Sequence, residues 1–299
     1  MSFENPFKAE GKWYKGNLHT HTTNSDGAWS PERVVAEYKK NDYNFLFITD
    51  HNKVTDVANL SSNNMLVLYG EEIGAGKAEL GQPYHIVALN LKEAVSSSDA
   101  PDAQGMINLI KAKGGEVILG HPYWSGLTMN DSIDLEDYLG VEVFNTTCHV
   151  SISKGHSMIQ WDDLLARGRR LMGFAVDDTH QHKHENAPLD ICYAWIMVKA
   201  AELNEDGIMK AIKSGCFYSS NGPTIKDINF EDDIISVSTS RVKSISLIAR
   251  VSSGRRYEAK DGEYLTKVEH KIRGSENYIR VECIDNQGRM AWSNPIFLE

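Results

Sequence analysis

The chain has 299 residues, enough to bury a sizeable core and more than one small domain needs. A net charge of −10, with no long basic run, argues against a nucleic-acid polymer as partner. Four scattered cysteines with no CxxC, no apolar leader in the first sixteen residues and no apolar run near the ~18 residues of a membrane span lead us to expect a cytoplasmic protein, away from membranes.

In chain order, a short apolar entry ends in His19-Thr20-His21, and Asp26 follows five residues later. Ser30-Pro31-Glu32 reads as a helix start: a capping hydroxyl, a proline at the first helical position and a carboxylate near the positive end of the dipole. Val34, Val35 and Tyr38 share one face of that helix. Phe45–Thr49 is a continuous apolar run, as in a strand buried on both faces, and it ends in Asp50-His51. Met65–Tyr69 is a second such run, ending in Gly70-Glu71-Glu72. A third, Ile86–Leu89, begins at His85. Residues 92–104 read as loop, and the helix pattern after them stops at Gly114-Gly115. Val117–Leu119 leads into Gly120-His121-Pro122. Val141–Phe144 leads into Asn145 and, further on, His149. Met158–Arg167 is helical. Leu171–Val176 ends in Asp177-Asp178-Thr179-His180. The polar, His-rich stretch 181–188 reads as a loop, Cys192–Val198 as a strand, Glu205–Ser214 as a helix and Cys216–Tyr218 as a last short strand.

Strands alternating with helices predict a mostly parallel α/β fold, and short apolar strands that each end in polar, catalytic-type residues fit a barrel better than an open sheet. In a barrel of parallel strands such ends converge on one face. After Asn221-Gly222-Pro223 the texture changes to alternating strands punctuated by Ser253-Gly254, Asp261-Gly262 and Asn286-Gln287-Gly288, which predicts a small antiparallel β unit. The expected division is therefore 1–224 for the chemistry and 225–299 for a β-sandwich-like packing or interaction domain.

His19, His21, Asp26, Asp50, His51, Glu72, His85, His121, Asp178 and His180 all fall at or beside strand ends. Imidazole nitrogen and carboxylate oxygen are the ligand set of zinc, manganese and iron. In extended backbone, residues i and i+2 point the same way, so His19 and His21 can hold one ion together, and Asp178 and His180 can enter one cavity. A carboxylate such as Glu72 can bridge two ions through its two oxygens. Ions about 3.5–4 Å apart can activate water and polarise a phosphoryl oxygen together.

His19-x-His21, Asp26-Gly27, Thr49-Asp50-His51, Gly70-x-Glu72, Gly120-His121-Pro122 and Asp178-x-His180 resemble, in the same order, the motifs of the PHP (polymerase and histidinol phosphatase) family. The likeness is greatest to its small metal-dependent phosphoesterases, the branch that includes carbaryl-hydrolase-like proteins. It covers roughly residues 14–224. The resemblance implies a distorted (β/α)7 TIM-like barrel with two or three divalent metal ions. It implies His19, His21, Glu72 and Asp178 around a first metal, Glu72, His85 and His121 around a second, and Asp26, His51 and His180 around a third. Asp50 would stand behind them, accepting the other N–H of a ligand imidazole. Glu72, Asp178 and His180 are the residues expected nearest the chemistry.

Three features depart from the family pattern. Glu71 adjoins Glu72, though the Gly-x-Glu spacing favours Glu72. Asp177 stands where a small residue is usual, and no phosphate-clamping arginine is identifiable. The expected reaction is hydrolysis of a small phosphorylated metabolite, such as a nucleotide or sugar phosphate, by a metal-activated hydroxide attacking phosphorus. A carboxyl or carbamate ester hydrolase using the same metals is the alternative, and a metal-stabilised binding module without turnover a third reading. His149, His182 and His184 are candidate acids for the leaving group. Cys148 reads as a small buried apolar residue, and Trp124 as core packing ahead of a stacking surface.

Overall fold

A computed structural model describes residues 5–182 and 189–298. The elements run β1 (Lys12–Asn17), α1 (Pro31–Lys40), β2 (Phe45–Ile48), β3 (Leu66–Ala75), β4 (Tyr84–Leu89), α2 (Ala103–Ala112), β5 (Glu116–Leu119), α3 (Met129–Ser132), β6 (Gly140–Asn145), α4 (Thr146–Ile152), α5 (Met158–Ala166) and β7 (Met172–Val176). They continue with β8 (Trp195–Ala200), α6 (Glu205–Lys213), β9 (Phe217–Ser220), β10 (Ile225–Glu231), β11 (Ile234–Val242), β12 (Ser244–Ala249), β13 (Gly254–Glu258), β14 (Leu265–Lys271), β15 (Tyr278–Ile284), β16 (Met290–Ser293) and β17 (Ile296–Phe297).

Two compact units divide these elements. One holds the described residues of Tyr14–Trp195 with Leu203–Glu205, and all the motifs above lie in it. Its strands lie side by side in chain order, β1 to β7. Strands β1, β2 and β3 are parallel, and so are β5, β6 and β7. The fold is thus mixed α/β, and two features depart from strict strand–helix alternation. No helix joins β2 to β3, and β3 turns back directly into β4, which runs antiparallel to both β3 and β5. The strand of the Met65–Tyr69 run does not stop at Gly70-Glu71-Glu72, because the β3 backbone keeps pairing with β4 from Gly70↔Leu89 to Ala75↔Tyr84.

Strand interiors such as Phe45-Leu46-Phe47-Ile48 are buried on both faces, as their unbroken apolar character requires. Helix α1 starts where its cap predicts: the Ser30 hydroxyl accepts from Arg33 N at 3.4 Å. It lays buried Val34, Val35 and Tyr38 against Leu46, Ile48 and Val67. Each such aliphatic side chain stabilises the unit by about 1.5–3 kcal/mol relative to exposure. Sequence reasoning missed α4, a short helix whose Asn145 cap accepts from Cys148 N at 2.9 Å. It also started β8 too early. The amides of Cys192, Tyr193 and Ala194 donate to the Asp177 carboxylate, which holds them out of strand geometry.

The other unit takes the described residues up to Trp13, Ile196–Glu202 and those from Asp206 onward. It contains a three-stranded antiparallel sheet, β10-β11-β14, and a sheet ordered β13-β12-β15-β16-β9, with β17 on β15. Ile228, Val237 and Val268 from the first sheet and Leu247, Val281 and Cys283 from the second share one apolar core. Strand β9 belongs here because it pairs with β16 through Ser219↔Trp292, so the contact division falls earlier in the chain than the change of sequence texture after Pro223.

Candidate metal centre

Backbone pairing brings the motifs together. His19 and His21 directly follow β1, and this segment bonds to the exit of β7: Asp178 N donates to His19 O and His21 N to Thr179 O, each at 3.0 Å. The exit of β2 joins from the other side, with Thr49 N donating to Thr20 O at 2.9 Å and Asn52 N to Glu72 O at 2.9 Å. Because β4 is antiparallel, its N-terminal end faces the same way as the C-terminal ends of its neighbours. His85, its second residue, therefore reaches the same face, and Gly120 N donates to His85 O at 2.8 Å just before His121. His121 (φ +25°) and Asp178 (φ +53°) sit in the left-handed region that side chains other than glycine seldom adopt. Gly27 is required at the Asp26 turn, since a Cβ there would lie 2.7 Å from the backbone of His21.

Three groups of potential ligands result: His19, His21, Glu72 and Asp178; Glu72, His85 and His121; and His21, Asp26, His51 and His180. In the first, His19 Nε2 lies 3.1 Å from His21 Nε2, 3.0 Å from Glu72 Oε2 and 3.2 Å from Asp178 Oδ1. His21 Nε2 lies 3.1 Å from each of the same two carboxylate oxygens. All four side chains are buried. In the second, Glu72 Oε1 lies 2.6 Å from His85 Nδ1 and 3.3 Å from His121 Nε2, so one carboxylate serves both groups. The third is looser and more exposed. Asp26 approaches His21 at 3.6 Å, His51 at 3.7 Å and His180 at 3.4 Å.

The donor set fits a cation. Five of the six separations in the first group are 3.0–3.2 Å. A tetrahedron with ~2.0 Å bonds, the zinc–nitrogen distance, has edges of about 3.3 Å. Two imidazole nitrogens face each other, and buried Asp178 Oδ1 accepts no hydrogen bond among the described residues. Four buried donor atoms aimed at one point are costly unless a positive charge sits among them. Burial lowers the His19 pKa, but Asp178, Glu72 and Glu142 overcome it and hold the ring well above its usual value. Burial likewise opposes protonation of His180, while Asp26 and Asp178 carry it up to about 9. Burial would raise Asp178, yet His19, His21 and His180 hold it far below the usual carboxylate range.

A second layer fixes these rings, and here the sequence reading needs correction. Among the described residues Asp50 accepts from no imidazole. Its oxygens accept from Thr22 N at 2.7 Å, the Thr22 hydroxyl at 2.8 Å, the Ser25 hydroxyl at 2.7 Å and the Thr55 hydroxyl. Residues i and i+1 of extended backbone point oppositely, so Asp50 turns away from the cluster as His51 turns toward it. The carboxylate behind a ligand ring is Glu142, in mid-β6. Its Oε1 accepts from His19 Nδ1 at 2.6 Å, and its Oε2 accepts from His121 N and Asn145 Nδ2, both at 2.9 Å. Asn145 Nδ2 also donates to Asp178 Oδ2 at 3.0 Å. The available signal was a lone glutamate inside the apolar run Val-Glu-Val-Phe, since a buried carboxylate needs donors. Ser125, whose hydroxyl is 3.0 Å from His121 Nδ1, was also missed. So was Asp190, which accepts from His180 N and Gln181 N at 2.8 Å.

Asp177 points away from the cluster. It accepts from Thr146, Tyr38 and the amides of Cys192, Tyr193 and Ala194, five donors in all. Burial still raises its pKa to about 6. Glu71 likewise leaves the cluster and accepts from Val95 N at 3.0 Å.

A cavity of about 340 Å³ opens over the three groups. His182 lines it, with Nε2 donating to Asp26 O at 3.1 Å. His149 packs against Phe144 and His156 instead, with ring centroids 5.5 and 5.3 Å away, and His184 lies outside the described residues. Cys148 is buried, and burial pushes its thiol pKa well up. Trp124 is not core packing: it is 42% exposed and lines the cavity. Among the described lining residues none is lysine or arginine.

No family model matches the chain. A stretch of 65 residues is 40% identical to the DNA polymerase/3'-5' exonuclease PolX of Bacillus subtilis. It covers 22% of this chain and spans about a tenth of that relative, 11% of its length. Among solved structures, the chain is similar to a two-domain protein from Bacteroides vulgatus containing a predicted PHP-like metal-dependent phosphoesterase. That match has a TM-score of 0.48 and 17% identity, over 95% of this chain and 94% of the other. It is also similar to an amidohydrolase from Chromobacterium violaceum, with a TM-score of 0.42 and 15% identity over 55% of this chain and 87% of the other.

Proposed function

We propose that this chain is a metal-dependent phosphoesterase of the PHP type, built on that family's distorted (β/α)7 barrel, and that it hydrolyses a small phosphorylated metabolite in the cytosol. The observation that carries this reading is the buried convergence of His19, His21, Glu72 and Asp178 at 3.0–3.2 Å, joined through Glu72 to His85 and His121. Two or three divalent ions, zinc, manganese or iron, would supply an activated water and neutralise charge on the phosphoryl oxygens.

The chain's own residues prepare that chemistry. Glu72, with one oxygen in each of two groups, fixes the spacing between them. Glu142 holds the His19 proton on Nδ1 and leaves the Nε2 lone pair facing the cluster. His180 donates from Nδ1 to Asp178 O at 2.8 Å, which turns Nε2 toward Asp26. His182, at the cavity but outside the three groups, is the described histidine placed to pass a proton to the leaving group.

A second reading has one observation in its favour. With no lysine or arginine among the described lining residues, an uncharged carboxyl or carbamate ester meets no unmatched cation. The products separate the two. Phosphate release from phosphomonoesters or cyclic phosphodiesters by Mn²⁺- or Zn²⁺-loaded protein, abolished in His19→Ala, supports the proposal. Phenol or carboxylate release from esters, with no phosphate release by protein whose metals are confirmed, overturns it.

A further inference from the structure

Trp124 lines the cavity that opens over the ligand groups. It is 42% exposed, although tryptophan is usually among the more buried side chains. Its ring is edge-on to His121 (centroids 5.1 Å apart, 84°) and to His85 (5.7 Å, 78°), both of the second ligand group. The turn that carries it is held at both ends. Ser125 N donates to His121 O at 3.1 Å and Leu127 N to Pro122 O at 2.9 Å, while Tyr123 N donates to the Ser157 hydroxyl at 3.1 Å. The indole is therefore placed in advance, beside the reacting centre and facing the cavity.

The rest of the lining narrows what fits. The cavity, about 340 Å³, is near the lower end of the range for small-molecule sites, roughly 300–1,000 Å³. Thr147, Cys148 and Ser151 add small, uncharged surface. Apart from the ligand groups, the charged described residue at the wall is the Asp190 carboxylate, already engaged by four donors. Among the described lining residues a second anionic group on the substrate meets no lysine or arginine, whereas an exposed indole offers a flat face for stacking.

We infer that Trp124 is a stacking platform, and that the substrate is a phosphoester whose single phosphoryl group is joined to an uncharged part carrying a planar ring. This rests on the phosphoesterase reading above and adds a substrate class to it.

The test uses two phosphonates of similar size that cannot be hydrolysed, phenylphosphonate and cyclohexylphosphonate. Binding to metal-loaded full-length protein is followed by calorimetry. Wild type binds the planar phenyl compound more tightly, although the cyclohexyl group is the more apolar. Trp124→Ala loses between about 5-fold and about 150-fold in phenylphosphonate affinity, the range for removing an aromatic stacking partner. Its cyclohexylphosphonate affinity changes less than about twofold, and Trp124→Phe keeps most of the phenyl preference. Equal binding of the two compounds by wild type overturns the inference and leaves the phosphoesterase reading standing. An equal loss of both in Trp124→Ala also overturns it, because that result means Trp124 acts only by supporting His85 and His121. If neither compound binds protein whose metals are confirmed, the phosphoesterase reading fails and the inference fails with it.

Discussion

Replacing Glu142 with glutamine tests how this centre is held together. The substitution keeps the shape of the side chain and removes one acceptor. Two donors, His121 N and Asn145 Nδ2, converge on Oε2, and one, His19 Nδ1, meets Oε1. Asn145 cannot turn to help, because its Oδ1 caps α4 by accepting from Cys148 N. The glutamine oxygen therefore goes to the side with two donors, and its NH2 faces His19 Nδ1. Two donors cannot pair, so when the His19 ring gives up one proton it keeps the other on Nε2, the atom aimed at Glu72 and Asp178. Binding a metal at Nε2 then requires reversing that tautomer against an opposed donor. Loss of such a partner lowers metal affinity by about 10- to 100-fold, or about 1.4–2.7 kcal/mol. The assay is titration of metal-stripped protein with Zn²⁺ against a chromophoric chelator. Affinity within twofold of wild type in Glu142→Gln would refute the claim that Glu142 sets the His19 tautomer.

Three further outcomes follow from the same geometry. Asp177→Ala leaves five donors without their acceptor, and we expect about 3 kcal/mol or more lost in urea unfolding, since each stranded buried donor costs about 1–3 kcal/mol. His156 is held neutral by burial and by nearby His149, with its pKa lowered to about 4. Between about 4 and the ordinary value of 6.5 the unfolded chain binds more protons than the folded one, so stability rises with pH in that window and is lost as pH falls through it. Thermal midpoints of wild type should drop from pH 6.5 to 4, and those of His156→Gln should drop less; parallel curves would count against the assignment. Asp26 belongs to the third group and is absent from the other two. Asp26→Ala should therefore reduce bound metal at that group and leave the affinity of the tightest site within a few-fold, as read by metal analysis after graded dialysis.

Most of the ligand-type residues were legible because an apolar run breaks into histidine or a carboxylate beside them, although Glu72 lies inside β3 and Asp26 in the turn that follows His21. His19-x-His21 and Asp178-x-His180 also carry the two-residue period that puts both side chains on one side of extended backbone. What escaped the sequence was long-range or buried in a regular pattern. Glu142 sits at one position of an otherwise apolar strand, and only the fold shows that His19 and the His121 amide come to it. Asp50 was expected behind a ligand imidazole on the family resemblance, while backbone alternation turns it away from the cluster as His51 turns toward it. The antiparallel sense of β4 depends on a hairpin after Ala75 that carries no strong two-residue turn signal, so His85 was visible as a strand start without the reason it faces the centre. Asp177 looked like an extra charge beside the site. Its five donors come from Thr146, Tyr38 and the 192–194 backbone, far apart in sequence.

The account stands on the claim that the imidazoles and carboxylates around Glu72 exist to hold cations. Counting divalent ions per chain by plasma mass spectrometry, in wild type and in His19→Ala after equilibration with Zn²⁺ or Mn²⁺ and removal of free metal, tests it most directly. We expect two or three ions per wild-type chain and at least one fewer in the variant, with both proteins folded. A wild-type chain that retains none, or a variant that retains as many as wild type, would contradict it.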